Sequence, residues 1–179
     1  MKTTTVVGHA GLEEDLARRL RGAARVAIVG IGDELQRPDR LGMLAAKELQ
    51  GLGLPGVLVF LAGTVPESVT GPVRRFRPDH ILLLDAADLG LRPGTVAVVD
   101  SDRVVARTLS THSLPLSVVM QYLEKTTGSP ATLVGIQPDL RARGDDLTGF
   151  EEAGLARIVG CIHRCLGARD LRPARSRAL

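Results

Sequence analysis

Ile28-Val29-Gly30-Ile31-Gly32-Asp33-Glu34-Leu35-Gln36-Arg37-Pro38-Asp39-Arg40-Leu41-Gly42 joins a β-rich run ending in Gly-x-Gly to a helical pattern. Turns of this kind sit at the carboxyl edge of an α/β sheet, where such folds bind ligands. A nucleotide is the usual expectation, but Leu35 stands where the dinucleotide fingerprint needs its third glycine. The Lys-Ser/Thr pair of a phosphate loop is missing too. Asp39, expected in the first turn of the helix, puts a carboxylate where a phosphate cradle would be. The stretch therefore points to a cation or an amide substrate and to no nucleotide cofactor.

On either side of this stretch, apolar runs alternate with amphipathic ones. Leu12, Leu16 and Leu20 recur at helical spacing, opposite Glu13, Glu14, Asp15, Arg18 and Arg19. Strands are expected at Ala24–Ile31, Val57–Leu61, Ile81–Leu84 and Thr132–Ile136. Helices are expected from Pro38 to Gly51, from Pro66 to just before Arg77, up to Thr127, and from Phe150 to Leu166. About nine residues, from Ala86 to Gly94, separate the third strand from Thr95–Val99. A crossover with its helix takes at least about 10–12 residues, so this strand should run antiparallel at an edge. Val104–Thr108 could return beside it. The expected fold is a three-layer α/β/α sandwich, with a mostly parallel sheet of about five strands and an antiparallel edge strand.

The composition, 44% hydrophobic over 179 residues, suits one α/β domain over 1–167, carrying an added N-terminal helix within 1–23. The remainder, 168–179, reads as a basic tail. Its four arginines against one aspartate account for the whole net charge of +3, so the body is neutral. With one tyrosine, three phenylalanines and no tryptophan, there is no aromatic platform for stacking bases, which argues against nucleic acid. No apolar run reaches the roughly 18–20 residues of a membrane span, and the N-terminus lacks a signal-peptide core. A cytoplasmic monomer, not bound to a membrane, is expected. Cys161 and Cys165, four apart on one helix face, read as small core residues; without a second Cys pair they are a weak zinc signature.

Asp39, Asp85, Asp88 and His112 fall where loops should leave the sheet. Asp39 and Asp85 follow two parallel strands and should share one rim, which His112 can reach through the return strand. Two carboxylates and an imidazole suit a divalent transition metal such as nickel or zinc, with open positions for metal-assisted hydrolysis. Each also has an ordinary explanation, as a dipole partner, a cap or a solvated loop residue.

Five motifs in order carry more: Gly30-Ile31-Gly32-Asp33-Glu34-Leu35 with Asp39 and Gly42; Gly63-Thr64-Val65-Pro66-Glu67; Leu84-Asp85-Ala86-Ala87-Asp88-Leu89-Gly90; Thr111-His112-Ser113-Leu114-Pro115-Leu116; and Gly135-Ile136-Gln137-Pro138. Together, over about residues 25–166, they resemble the maturation endopeptidases of nickel–iron hydrogenases, in the branch that processes formate-hydrogenlyase-type large subunits. The resemblance implies an endopeptidase that clips the C-terminal extension of a hydrogenase large-subunit precursor after nickel insertion. It implies that Asp39, Asp85 and His112 recognise nickel brought by the precursor and carry the catalysis, and that Gly32, Ala62, Gly63 and Thr64 contact substrate. The sequence departs from the family pattern at Asp33 (usually Asn), at Pro38 (usually acidic) and at Leu61-Ala62-Gly63 (usually Asp-Gly-Gly). These departures motivate a second reading, a catalytically silent relative that checks nickel or binds the precursor. A nucleotide-binding protein would rest on Gly30-x-Gly32 alone.

Overall fold

The computed structural model describes residues 11–99 and 114–167. A five-stranded sheet in the order β2-β1-β3-β5-β4 forms its middle layer. The strands are β1 (Val26–Ile31), β2 (Val57–Gly63), β3 (His80–Ala86), β4 (Val96–Val99) and β5 (Ala131–Ile136). All neighbours pair in parallel except β4, which runs antiparallel to β5 at the edge, as the short connection ahead of it requires.

Every residue of β1 and β3 is buried, the mark of strands covered on both faces. Val26 and Ile28 of β1, with Leu82 and Leu84 of β3, point to one core layer. Ala27, Val29 and Ile31, with Ile81 and Leu83, point to the other. Helices α1 (Leu12–Arg19), α2 (Leu41–Gly51) and α5 (Gly149–Gly167) cover the first face. A 3₁₀ turn (Pro66–Val69), α3 (Thr70–Phe76) and α4 (Leu116–Thr127) lie on the second. Leu12, Leu16 and Leu20 are buried in the same core as α5, so the N-terminal helix is part of the packed body. No helix among the described residues is long and apolar enough to cross a membrane.

Three boundaries differ from expectation. The third strand continues through Asp85 and Ala86, which pair with Gly135 and Ile136, so Asp85 is a strand residue and not part of a loop. Leu61, Ala62 and Gly63 likewise complete β2, with a bulge that leaves Ala62 extra between Leu61, opposite Gly30, and Gly63, opposite Ile31. Helix α2 begins at Leu41, so Pro38 and Asp39 sit in turns ahead of it. The expected return strand at 104–108, His112 and the tail at 168–179 lie outside the described residues.

Candidate active site

Glycines position the first acid. Gly32 has φ +125°, and a Cβ there would fall 1.9 Å from the Asp39 carbonyl oxygen. Only glycine lets the chain fold back this closely. The backbone N–H of Asp33 then donates to Asp39 Oδ2 at 2.8 Å, closing the loop onto its own carboxylate. At Gly42, in the first turn of α2, a Cβ would lie 2.3 Å from Leu84 O, 2.5 Å from Ile31 O and 2.7 Å from Asp85 Cα. The helix therefore starts directly against the carboxyl ends of β1 and β3. Asp39, in the turns after β1 and three residues ahead of Gly42, and Asp85, fully buried at the penultimate position of the adjacent strand β3, stand at the same rim.

The neighbouring rim elements converge there. Gly32 N–H donates to Gly63 O at 2.9 Å, so the end of β2 lies beside the Gly-x-Gly turn, with Thr64 exposed just beyond. Helix α4 ends at the opposite rim, where Ser129 Oγ donates to Pro78 O ahead of β3. Its 12 residues span about 18 Å, which returns its start at Leu116 to the carboxyl rim. The structure thus brings together Gly32, Asp39, Ala62, Gly63, Thr64 and Asp85. His112 lies outside the described residues, and the described residues alone contain no cluster of three potential metal ligands. Asp88 is used by its own loop: its Oδ1 accepts from Gly90 N–H at 3.1 Å and Gln137 Nε2 at 3.4 Å.

Other residues that hold this rim escaped the sequence reading. Arg37 donates to Asp146 O, Asp139 O and Glu151 Oε2, the last at 2.8 Å, and is only 11% exposed. Glu151, fully buried, also accepts from Asp139 N–H, Thr148 N–H and Thr148 Oγ1. Arg40 donates to Asp145 O. Asp39 is thus flanked by two arginines clamped to the segment between β5 and α5. One signal was available: Thr148-Gly149-Phe150-Glu151 is a capping box, whose reciprocal bonds form at the start of α5. Buried Gln137 takes Leu89 N–H on its Oε1 at 2.6 Å and so fixes the loop after β3.

Neither cysteine serves the rim. Both are buried, and Cys161 lies 12 residues into α5, about 18 Å along the helix. The hydrogen bond between the two thiols, with burial, pushes the Cys161 thiol up and draws the Cys165 thiol down, so it is distance from the rim that takes both out of its chemistry. What the rim offers is oxygen donors: two carboxylates beside glycine-rich backbone, with Thr64 exposed at its margin.

Comparison with known proteins agrees with this architecture. The family model for HycI, hydrogenase maturation protease, matches residues 43–152. Hydrogenase 3 maturation protease of Escherichia coli K12 is 30% identical over 111 residues, 62% of this chain and 70% of that protein. A relative from Methanocaldococcus jannaschii, provisionally named a hydrogenase maturation protease, is 31% identical over 137 residues, 72% of this chain and 81% of its own length. The crystal structure of the [NiFe] hydrogenase maturation protease HycI from Thermococcus kodakarensis superposes with a TM-score of 0.75 at 30% identity, covering 86% of this chain and 99% of that one.

Proposed function

The chain belongs to the hydrogenase maturation protease family, a family of hydrolases, and from that premise we propose that it removes the C-terminal extension of a nickel-loaded hydrogenase large-subunit precursor. In this reading the nickel is part of the substrate. Asp39, Asp85 and His112 recognise it, supplying two oxygens and one imidazole nitrogen, a hard-to-borderline set suited to nickel. The substrate's metal supplies Lewis acidity, which can polarise the scissile carbonyl or lower the pKa of a water. Gly32 and Ala62-Gly63-Thr64 take the polypeptide beside it.

One observation carries the reading: Gly42 seats α2 against both Ile31 and Asp85, which holds Asp39 and Asp85 at one rim. Among the described residues, buried Cys161 and Cys165 lie on α5 and offer no competing nucleophile at that rim. Incubation with nickel-loaded and nickel-free precursor, followed by mass measurement, tests the proposal. Cleavage of the loaded form alone is expected. Binding without cleavage would favour the silent relative suggested by Pro38 and Leu61-Ala62, and absence of both would leave neither reading standing.

A further inference from the structure

Strand β2 occupies one edge of the sheet and, among the described residues, pairs only with β1. Exposed edges are normally kept short, or blunted by lysine, proline or a covering element. The opposite edge strand, β4, follows that rule with four residues, nearly all buried. Strand β2 breaks it. Its seven residues, Val-Leu-Val-Phe-Leu-Ala-Gly, include no charge and no proline, and only Ala62 is buried. Its bulge falls at Ala62, which leaves 57–61 as regular strand.

The hydrogen-bond phase identifies the open groups. Val26 N–H donates to Gly56 O, so Leu58 and Phe60 turn their backbone groups toward β1. Val57, Val59 and Leu61 therefore face outward, and of their N–H groups only that of Val57 is used locally, donating to Leu54 O. The open edge leads directly into Gly63 and Thr64 at the candidate active site. Leu58 and Leu61, exposed on opposite faces of the strand, and exposed Val65 beyond it leave the edge flanked by apolar side chains on both sides.

We propose that the free edge of β2 is the docking site for the precursor, an extended uncharged segment of which adds as a further strand beside Val57–Leu61 and so delivers the adjoining chain to Gly63, Thr64 and the acidic rim. Main-chain bonds to Val59 and Leu61 supply affinity, and the apolar side chains flanking the edge on its two faces select uncharged side chains, as in other cases of strand addition. Among the described residues no second strand pairs with this edge, and its continuity with the proposed substrate residues points to a polypeptide substrate as the occupant. This inference rests on the proposed endopeptidase function.

The test uses the full chain as Asp39→Asn with nickel-loaded precursor, read by amide hydrogen exchange. Exchange at Val59 and Leu61 should slow at least about tenfold in the complex. In the active enzyme, Val59→Pro removes an outward N–H that an edge strand can lose without breaking its ladder. It should raise KM about tenfold or more, with kcat changed less than about threefold. Phe60→Pro, which removes a bond to β1, should instead destabilise the fold. Complex formation with unchanged edge exchange, alongside normal cleavage by wild type, would overturn the docking mode and leave the protease reading intact. Edge protection that appears in the enzyme alone and grows with its concentration would assign the edge to a second copy and also overturn it. Failure of wild type either to bind or to cleave nickel-loaded precursor would remove both.

Discussion

Gly42 has no room for a single added carbon, because the atoms around its missing Cβ are backbone and cannot rotate away. Gly42→Ala must therefore lift α2 from β1 and β3, with a stability loss of about 1–3 kcal/mol by overpacking. Because Asp39 hangs from that helix, cleavage should fall by more than the unfolded fraction explains; parallel denaturation and activity measurements check this. Asp85 needs different treatment from a surface acid, since it is fully buried inside β3. Asp39→Asn and Asp85→Asn keep size and shape while removing charge. Each should reduce cleavage at least about 100-fold with a cooperative fold retained, and near-wild-type rates in either variant would remove that residue from the site. The acids themselves were legible in the sequence, because each follows an apolar run bounded by glycine or a short turn. That Asp85 is a strand residue was not, since its pairing with Gly135 lies 50 positions away.

Element boundaries follow the same division. The continuous apolar runs of β1 and β3, the leucine spacing of α1 and the short link before β4 could all be read locally, and the corresponding elements are present. The start of α2 could not. Pro38 suits a first helical position, yet Arg37 and Arg40 are drawn to the 139–151 segment and hold residues 33–40 in turns. Arg37 and Glu151 are 114 residues apart, so no local pattern announces their pair. Glu151→Ala should cost about 3–5 kcal/mol, because it leaves a largely buried guanidinium without its counter-charge and removes the capping box of α5. Chemical denaturation measures that loss. A change below about 1 kcal/mol would mean that this clamp does not hold the Asp39 loop.

At the scale of the whole molecule, the two rims divide the work. The carboxyl rim carries the carboxylates, and the amino rim is structural. His80, at the start of β3, is buried with Nε2 3.0 Å from Thr132 Oγ1. Burial first, and then the charge of Arg19, hold its pKa down to about 4. The unfolded chain, with an ordinary imidazole near 6.5, takes up that proton first as pH falls. His80 therefore contributes its full stability above about pH 6.5, and loses it progressively between there and pH 4. The loss amounts to roughly 3 kcal/mol at 1.36 kcal/mol per pKa unit. His80→Gln should flatten that part of a stability–pH profile, and an unchanged slope would assign it to other groups. Chelator treatment of enzyme and nickel-loaded precursor separately, before they are mixed, decides whether the nickel belongs to the substrate. If nickel is part of the substrate, chelator-treated enzyme cleaves loaded precursor at the untreated rate, and precursor stripped of nickel is not cleaved. If stripping the enzyme stops cleavage while stripped precursor is still processed, the metal resides in the enzyme and is not brought by the substrate.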